Sequence, residues 1–430
     1  MNFSTYVQVA VLTDVGMRRA TNQDAHAVII ADTPELWRSR GHIFLVADGM
    51  GAHAAGELAS KLAADGIPHL YHKHVELSPP EALERAIRET NGEIHRRGQA
   101  NPEFHNMGTT CTGLVLLPQG ALVANIGDSR TYRLRGKDLH QLTFDHSLQW
   151  ELRAAGQFPP GSELAAAIPK NVITRSLGPN SQVQPDIEGP WAIEVGDTFL
   201  LCSDGLTGKV EDVEIGVIIS VLPPDEAARA LVDLANLRGG PDNCTVVIAK
   251  VLKAEMSTAA SAEPPITLGV STTRKPIPPI FWLTAGICLF AAVVLAIVSQ
   301  LLLAGIAAVA AVVVAASGWI RQYMPNSRAV VLEGGRHLGK GPYTHAVCTP
   351  DSKLLKNLQA TIDELREAAR DGAYTIHWPD FDEHIRRAQA GEKAGDFAEA
   401  IRQSCRGISF LMKELRSQGG KKASDSAIQY

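Results

Sequence analysis

The sequence has no C-x-x-C pair: its six cysteines (Cys111, Cys202, Cys244, Cys288, Cys348, Cys405) lie far apart. That spacing excludes a zinc ribbon and a disulfide-dense secreted domain, and it reads as reduced, cytosolic thiols. A basic surplus is missing too. Lys and Arg number 41 against 46 Asp and Glu, a net charge of −5, so no nucleic-acid partner is expected. The N-terminal MNFSTYVQVAVLTD has neither a basic start nor a continuous apolar run, so no cleaved signal peptide is expected. With 45% hydrophobic and 20% charged residues, wholesale disorder is excluded as well.

What is present falls into unlike regions. From Val7, where Val7, Val9 and Val11 alternate in the period of a strand, to about residue 252, short β-like runs mix with amphipathic helices. Ile43–Ala47, Thr110–Leu117, Ala121–Ile126, Thr198–Cys202 and Thr245–Val251 are rich in Val, Ile, Leu and Thr and predict strands. Ser78 followed by Pro79 and Pro80 predicts a helix start, and Leu83, Ile87, Asn91 and Ile94 give it one buried stripe. A second helix is expected over Gly56–Asp65. Strands outnumber helices without β-α-β alternation, which favours an α+β fold. Residues 254–279, with five prolines among Ser, Thr and Ala, predict an extended linker.

Ile280–Ile320 then contains no charged residue. A straight helix of that length would be roughly 60 Å long, about twice the hydrocarbon core of a bilayer. The polar pair Ser299-Gln300 divides it into two spans, about 280–298 and 302–320. Phe281, Trp282 and Trp319 stand at the outer ends, where interfacial rings belong. Arg274 and Lys275 before the pair and Arg321 and Arg328 after it place both long flanks in the cytoplasm of a multi-pass cell-membrane protein. Residues 321–430 read as a separate cytoplasmic helical region. Its stripes are Leu354, Leu358, Ile362, Leu365, Ala369 and Ile401, Cys405, Ile408, Met412, Leu415. AGDFAEAI (394–401) is similar to half of a tetratricopeptide unit, but a single copy favours an ordinary bundle.

The chemistry sits in aspartates at strand mouths. Asp24 lies in TDVGMRRATNQDA, Asp48 in LVADGMGAHAAGE, Asp128 in ANIGDSRTYRL, Asp204 in LLCSDGLTG and Asp242 in PDNCTVVIA. One strand-end Asp is usually a turn former. Five together, four of them in Asp-Gly, Gly-Asp or Asp-Asn settings and without supporting Cys or His, suit hard oxygen-loving cations such as Mg²⁺ or Mn²⁺.

These blocks, in this order, with MGTTCTG (107–113), FDHS (144–147) and ITRSLG (173–178), resemble the metal-dependent Ser/Thr protein phosphatases, the protein phosphatase 2C (PPM-type) family, in its compact bacterial form. The likeness covers residues 6 to 252, within an expected phosphatase domain at 1–253. It implies a four-layer α-β-β-α sandwich, two antiparallel sheets between helix layers, followed here by the transmembrane helices and the small helical C-terminal region. It implies two divalent ions in the cleft between the sheets. By motif position Asp48 would bridge both, the Gly49 carbonyl would complete one site, and Asp204 and Asp242 would bind the other. Asp24 would act through bound water, and Asp128 matches the place of a third, looser ion. Arg19 matches the phosphate-binding arginine, with Arg18 the alternative one residue away. The implied activity is hydrolysis of phosphoserine and phosphothreonine in proteins, in opposition to a Ser/Thr kinase.

The pattern departs in places. Gln23 stands where relatives carry Glu in Asn-Glu-Asp, Ala52 replaces a glycine, and Met50 occupies the place of a histidine in eukaryotic members. His53 is a candidate substrate contact, and Leu148–Asn171 is the expected flap. Two other chemistries fall away. No cysteine has Arg at C-x₅-R, and GGRHLGKG (334–341) ends in Gly341 and Pro342 instead of the Ser or Thr and helix of a phosphate loop. A catalytically weak, phosphatase-like binding module is the competing expectation, resting on Gln23.

Overall fold

The computed structural model describes residues 5–51, 54–157, 168–169, 172–268, 279–323, 330–332, 338–371 and 374–419. Two compact units divide the chain. One comprises Met1–His74, Pro79–Pro265 and Gly334–Tyr430, the other Val75–Ser78 and Ile266–Glu333.

In the first unit β1 (Val7–Asp14) and β2 (Asp24–Ile29) precede α1 (Pro34–Ser39), whose first turn is capped by Thr33. Then come β3 (His42–Met50), α2 (Ala55–Lys73), α3 (Pro79–Ala100), β4 (Gly108–Thr109), β5 (Cys111–Leu117), β6 (Gly120–Ile126), β7 (Arg130–Arg135), β8 (Asp138–Gln141) and α4 (Leu148–Ala154). β9 (Asp186–Trp191), β10 (Thr198–Cys202), the single turn α5 (Asp204–Thr207), α6 (Asp212–Val221), α7 (Pro224–Leu237) and β11 (Cys244–Val251) follow. In the second unit β12 (Ile266–Leu268) pairs with β13 (Val330–Leu332) around α8 (Pro279–Ile297) and α9 (Leu301–Tyr323). The chain returns to the first unit with β14 (Thr344–Val347), α10 (Ser352–Asp371), α11 (Trp378–Ala394) and α12 (Phe397–Gly419).

Two antiparallel sheets result, ordered β1-β11-β10-β7-β8-β14 and β2-β3-β5-β6-β9, with β4 against β3. Because side chains alternate across a strand, β10 and β11 feed two cores at once. Phe199, Leu201, Val247 and Ala249 meet Phe44, Val46 and Leu114 of the other sheet. Leu200, Cys202, Val246 and Ile248 face the opposite way, towards Ile215, Leu231 and Leu234 of α6 and α7. Burial on both faces is why these strands read as unbroken apolar runs. Helix α2 covers β2 and β3, and α2 and α3 pack together.

The C-terminal helices correct the expected division at residue 321. They do not form a separate region. Leu355, Leu358, Ile362, Ile401, Cys405 and Ile408 are buried in the same core as α6, α7 and the outer face of β10 and β11. β14 adds an edge strand to β8, with His345 opposite His140. A further helical layer thus lies over the four expected ones. The linker also starts later than 254: Met256 is buried in the core between the sheets, and Thr258 Oγ1 accepts from the Ile193 amide at 2.9 Å. The Walker-like stretch forms no phosphate loop in its described part. Leu338 bridges to Gly189, and the Gly341 amide donates to Glu188 at 3.0 Å before the chain enters β14.

In the second unit the apolar run breaks where its polar pair stands. Ser299 adopts φ 60, and α8 and α9 pack against each other across this turn. Among the described residues only Pro279–Ile297, with mean hydropathy 2.6, is long and apolar enough to cross a membrane, while Leu301–Ser317 is apolar but shorter.

A shared core has a measurable consequence. Ile408 is fully buried, and Ile408→Ala should destabilise the two-sheet unit by about 2–5 kcal/mol. Denaturant unfolding followed in the sheets should show a lower midpoint. An unmoved midpoint would mean that α12 is not part of their core.

Candidate active site

One end of both sheets collects the acidic residues. Asp24 opens β2 and Asp48 nears the end of β3, and the register sets them opposite each other. Cys202 pairs with both Arg130 and Val246, so the start of β7, the end of β10 and the start of β11 share one edge. Asp128, Asp204 and Asp242 stand beside those three strand ends. Antiparallel pairing gathers the aspartates within each sheet, and the fields of Asp24, Asp204, Asp128 and Asp242 all reach Asp48 across the two.

Their electrostatics are those of a crowded anionic pocket. Burial, reinforced by Asp24, Asp204, Asp128 and Asp242, pushes the Asp48 carboxyl well above the usual range. Burial raises Asp24 to about 7, against hydrogen bonds from Thr245 and Ser203 that favour its charged form. Asp128 also rises to about 7, through burial and then the fields of Asp204 and Asp145. Asp204 rises through burial and Asp242. One buried oxygen each of Asp24, Asp128 and Asp204 has no hydrogen-bond partner. Buried carboxylate oxygens left without hydrogen-bond partners, on aspartates whose fields reach one another, are the oxygen donors a hard cation takes. Among the described residues no three His, Cys, Asp or Glu side chains form a ready all-protein cage. Magnesium usually keeps several waters and takes one or two carboxylates, so this donor set fits ions held largely through water.

The backbone around the aspartates is held by groups that the motif reading passed over. Thr110 Oγ1 accepts from the Asp48 amide at 2.9 Å, and Thr109 Oγ1 donates to the Asp48 carbonyl at 2.9 Å. Ser203 Oγ donates to Asp24 at 2.8 Å while accepting from the Thr245 amide at 2.9 Å. Asn243 donates to the carbonyls of Val15 and Thr21, at 2.9 and 3.0 Å, and accepts from the Gln23 amide at 2.8 Å. The available signal was a hydroxyl or amide beside each acidic block: Thr109 and Thr110, Ser203 before Asp204, Asn243 after Asp242. Gly49 is required by space. A Cβ there would lie 2.2 Å from the Gly56 carbonyl oxygen and 2.5 Å from that of Gln23.

Arg19 turns into the acidic cluster. Its Nη2 donates to Asp242 at 2.8 Å, and its side chain is half exposed. That bond, with the fields of Asp242, Asp48 and Asp204, raises its pKa. Arg18 instead passes near Gly239. Gln23 lies between the elements: its carbonyl accepts from the Gly49 amide at 3.1 Å and from Ser60 Oγ at 2.5 Å, and its side chain packs over Gly56. FDHS braces the Asp128 turn. Arg130 clasps Asp145 through Nε and Nη2, at 2.9 and 2.7 Å, and the Gly127 amide donates to His146 at 3.0 Å. His53 and half of the flap lie outside the described residues.

The protein phosphatase 2C family model matches residues 17–233. The Streptococcus pneumoniae protein phosphatase PhpP is 37% identical over 246 residues, 56% of this chain and 96% of its own. The Listeria monocytogenes serine/threonine phosphatase stp is 35% identical over 243 residues, 55% of this chain and 92% of its own. Among solved structures, the Mycobacterium tuberculosis serine/threonine phosphatase PstP/Ppp shares 34% identity at a TM-score of 0.50, covering 57% of this chain and 99% of that one. Two antiparallel sheets with a shared acidic mouth thus define a protein serine/threonine phosphatase. The chain belongs to the protein phosphatase 2C family.

Gln23 generates a prediction. Gln23→Glu adds one negative charge beside Gly49, and groups around metal ligands typically change affinity by about 10–100-fold. The Mn²⁺ concentration for half-maximal activity should fall while the saturated rate stays similar. A midpoint that rises or stays put would contradict the charge argument.

Proposed function

We propose that the chain hydrolyses phosphoserine and phosphothreonine in proteins with the help of two divalent cations, Mn²⁺ or Mg²⁺, at the shared mouth of the two sheets. The observation that carries this reading is the set of mutually repelling, partly unsatisfied carboxylates with Arg19 at its lip. Asp48 and the Gly49 carbonyl, with Asp204 and Asp242, would hold the ions, Asp24 would act through water, and Asp128 would take a third, looser one. When bound, such ions supply an acidified water and charge that offsets the phosphoryl oxygens.

The chain's own residues do the rest. The planar fork of Arg19 presents two donors to phosphoryl oxygens. It bonds Asp242 in this structure, so substrate phosphate would compete with that carboxylate for it. Asn243 and the Gln23 backbone hold the Arg19 turn against β3, which keeps the fork aimed into the cleft. Ser203 keeps its hydrogen bond on Asp24 and favours the ionised form needed to face a cation.

We further propose that α8 and α9 anchor the enzyme in the cell membrane. Trp282, Leu283, Ile287 and Phe290 are all strongly exposed, and a continuous exposed apolar surface calls for lipid or a partner. Arg274, Lys275, Arg321 and Arg328 argue for cytoplasmic flanks, where the enzyme would oppose Ser/Thr kinases acting on the same proteins. The competing reading, a catalytically weak binding module, draws on Gln23; the retained Asp24, Asp48, Asp204 and Asp242 weigh against it.

The test is hydrolysis of a phosphothreonine peptide by the full chain with Mn²⁺, Mg²⁺ or chelator. Asp48→Ala and Asp204→Ala should abolish most turnover. Arg19→Ala should chiefly raise KM, by roughly tenfold or more, as expected for about 1.5–3 kcal/mol in a charged hydrogen bond. Full activity in excess chelator, or an unchanged rate in Asp204→Ala, would overturn the reading.

A further inference from the structure

A continuous chain of contacts ties the C-terminal layer to the phosphate-binding turn. On α12, Arg416 places Nη1 2.9 Å from Asp233 and Nη2 3.5 Å from Asp14. Asp14 is the last residue of β1, and its Oδ1 accepts from the Gly16 amide at 2.8 Å and from Asn236 Nδ2 at 3.1 Å. Asp233 and Asn236 stand one turn apart on α7. Gly16 begins the turn that carries Arg19. It has φ +78, and a Cβ there would meet the Asp242 carbonyl oxygen at 2.2 Å, so the turn is pressed against the residue that Arg19 holds. The next amide, of Met17, donates to the Gly240 carbonyl at 2.8 Å, just beyond α7.

Asp14 is therefore a junction of three elements: the catalytic turn, α7 and α12. Asp233 behind it is wholly inaccessible to solvent. A buried carboxylate that loses its cation is strongly destabilised; Arg416 is the cation in ion-pair contact with Asp233, with the field of Arg229 adding to it. Simple docking of α12 would need no such arrangement, since Arg406 on the same helix already grips Glu226 at 2.6 and 3.0 Å. Among the described residues no hydrogen bond or ion pair joins that second pair directly to the Arg19 turn. A cavity of about 690 Å³ opens with both arginines in its wall.

We propose that Arg416 is a positioning residue: through Asp14 it orients the Gly16–Arg19 turn, so that the seating of the C-terminal helix sets the affinity for phosphorylated substrate. The proposal rests on the reading of Arg19 as the phosphate-binding group. It makes the C-terminal region part of the enzyme's substrate control.

The test uses the full chain with Mn²⁺ and reads two quantities, hydrogen exchange at the Gly16 and Met17 amides and steady-state kinetics on a phosphothreonine peptide. Arg416→Ala should speed exchange at both amides and raise KM about 3–10-fold, with kcat within about twofold of the parent. Arg416→Lys keeps the charge without the fork and should fall between; it carries the test if the alanine variant does not fold. Arg406→Ala should leave exchange and KM at parent values. In an Arg19→Ala background Arg416→Ala should add nothing to KM. Unchanged exchange in Arg416→Ala, an equal effect of Arg406→Ala, or additive KM changes would each overturn the proposal. If Arg19→Ala itself leaves KM unmoved, the phosphate-binding reading fails and the affinity claim with it. Exchange at Gly16 still judges the positioning claim separately.

Discussion

Electrostatic repulsion among five carboxylates at one end of two sheets is the constraint on which the rest depends. Like charges directly opposite on paired strands are destabilising, yet the register sets Asp24 against Asp48. Such an arrangement persists only where the surroundings over-determine it. Here the strands are clamped on both faces by apolar cores, and hydroxyl or amide groups from Thr109, Thr110, Ser203 and Asn243 hold each acidic turn by its backbone or carboxylate. The rigid sandwich keeps charges at a distance they would not choose, and a divalent cation resolves the conflict that the fold maintains.

The same rigidity supports the phosphate-binding role proposed for Arg19. Arg19 sits on a turn whose shape comes from the neighbouring end of β1 through Asp14 and from one stretch distant in sequence, α7 through Asn236, the Gly239–Gly240 turn and the Asn243 side chain. Its guanidinium donates to Asp242 in this structure, and in the proposed reaction substrate phosphate would compete with that carboxylate. The C-terminal layer reaches this turn through Arg416, which gives the added helices a role beyond covering apolar surface.

Much of this was legible in the sequence. The predicted strands at Ile43–Ala47 and Thr245–Val251 lie inside β3 and β11, because burial on both faces leaves an unbroken apolar run. The order of six short blocks pointed to the aspartates and to Arg19. Less legible was anything that depended on what a stripe faces. Leu358 and Ile408 were readable as buried positions of helices, but periodicity does not say which surface they bury against, so the region read as separate. β14 has four residues and no distinctive pattern; only its neighbour β8 makes it a strand. Helix α2 runs to Lys73, past the expected end at Asp65, because Pro68 is buried within it and packing overrides propensity. Ser203 and Asn243 adjoin acidic blocks in the sequence, but that adjacency does not name their partners, Asp24 and the Gln23 amide, which are some two hundred residues away.

The central claim is that the carboxylate cluster is a cation site kept under electrostatic strain. With Asp24 and Asp128 raised to about 7, the metal-free protein holds protons there near neutral pH, and a bound cation must displace them. Calorimetric titration of metal-free full chain with Mn²⁺, in buffers of different ionisation enthalpy, measures this directly. The account predicts net proton release at pH 6.5 that shrinks as pH rises to about 8.5, and weakened binding in Asp48→Asn. Binding without proton release at pH 6.5, or affinity unchanged in Asp48→Asn, would contradict it.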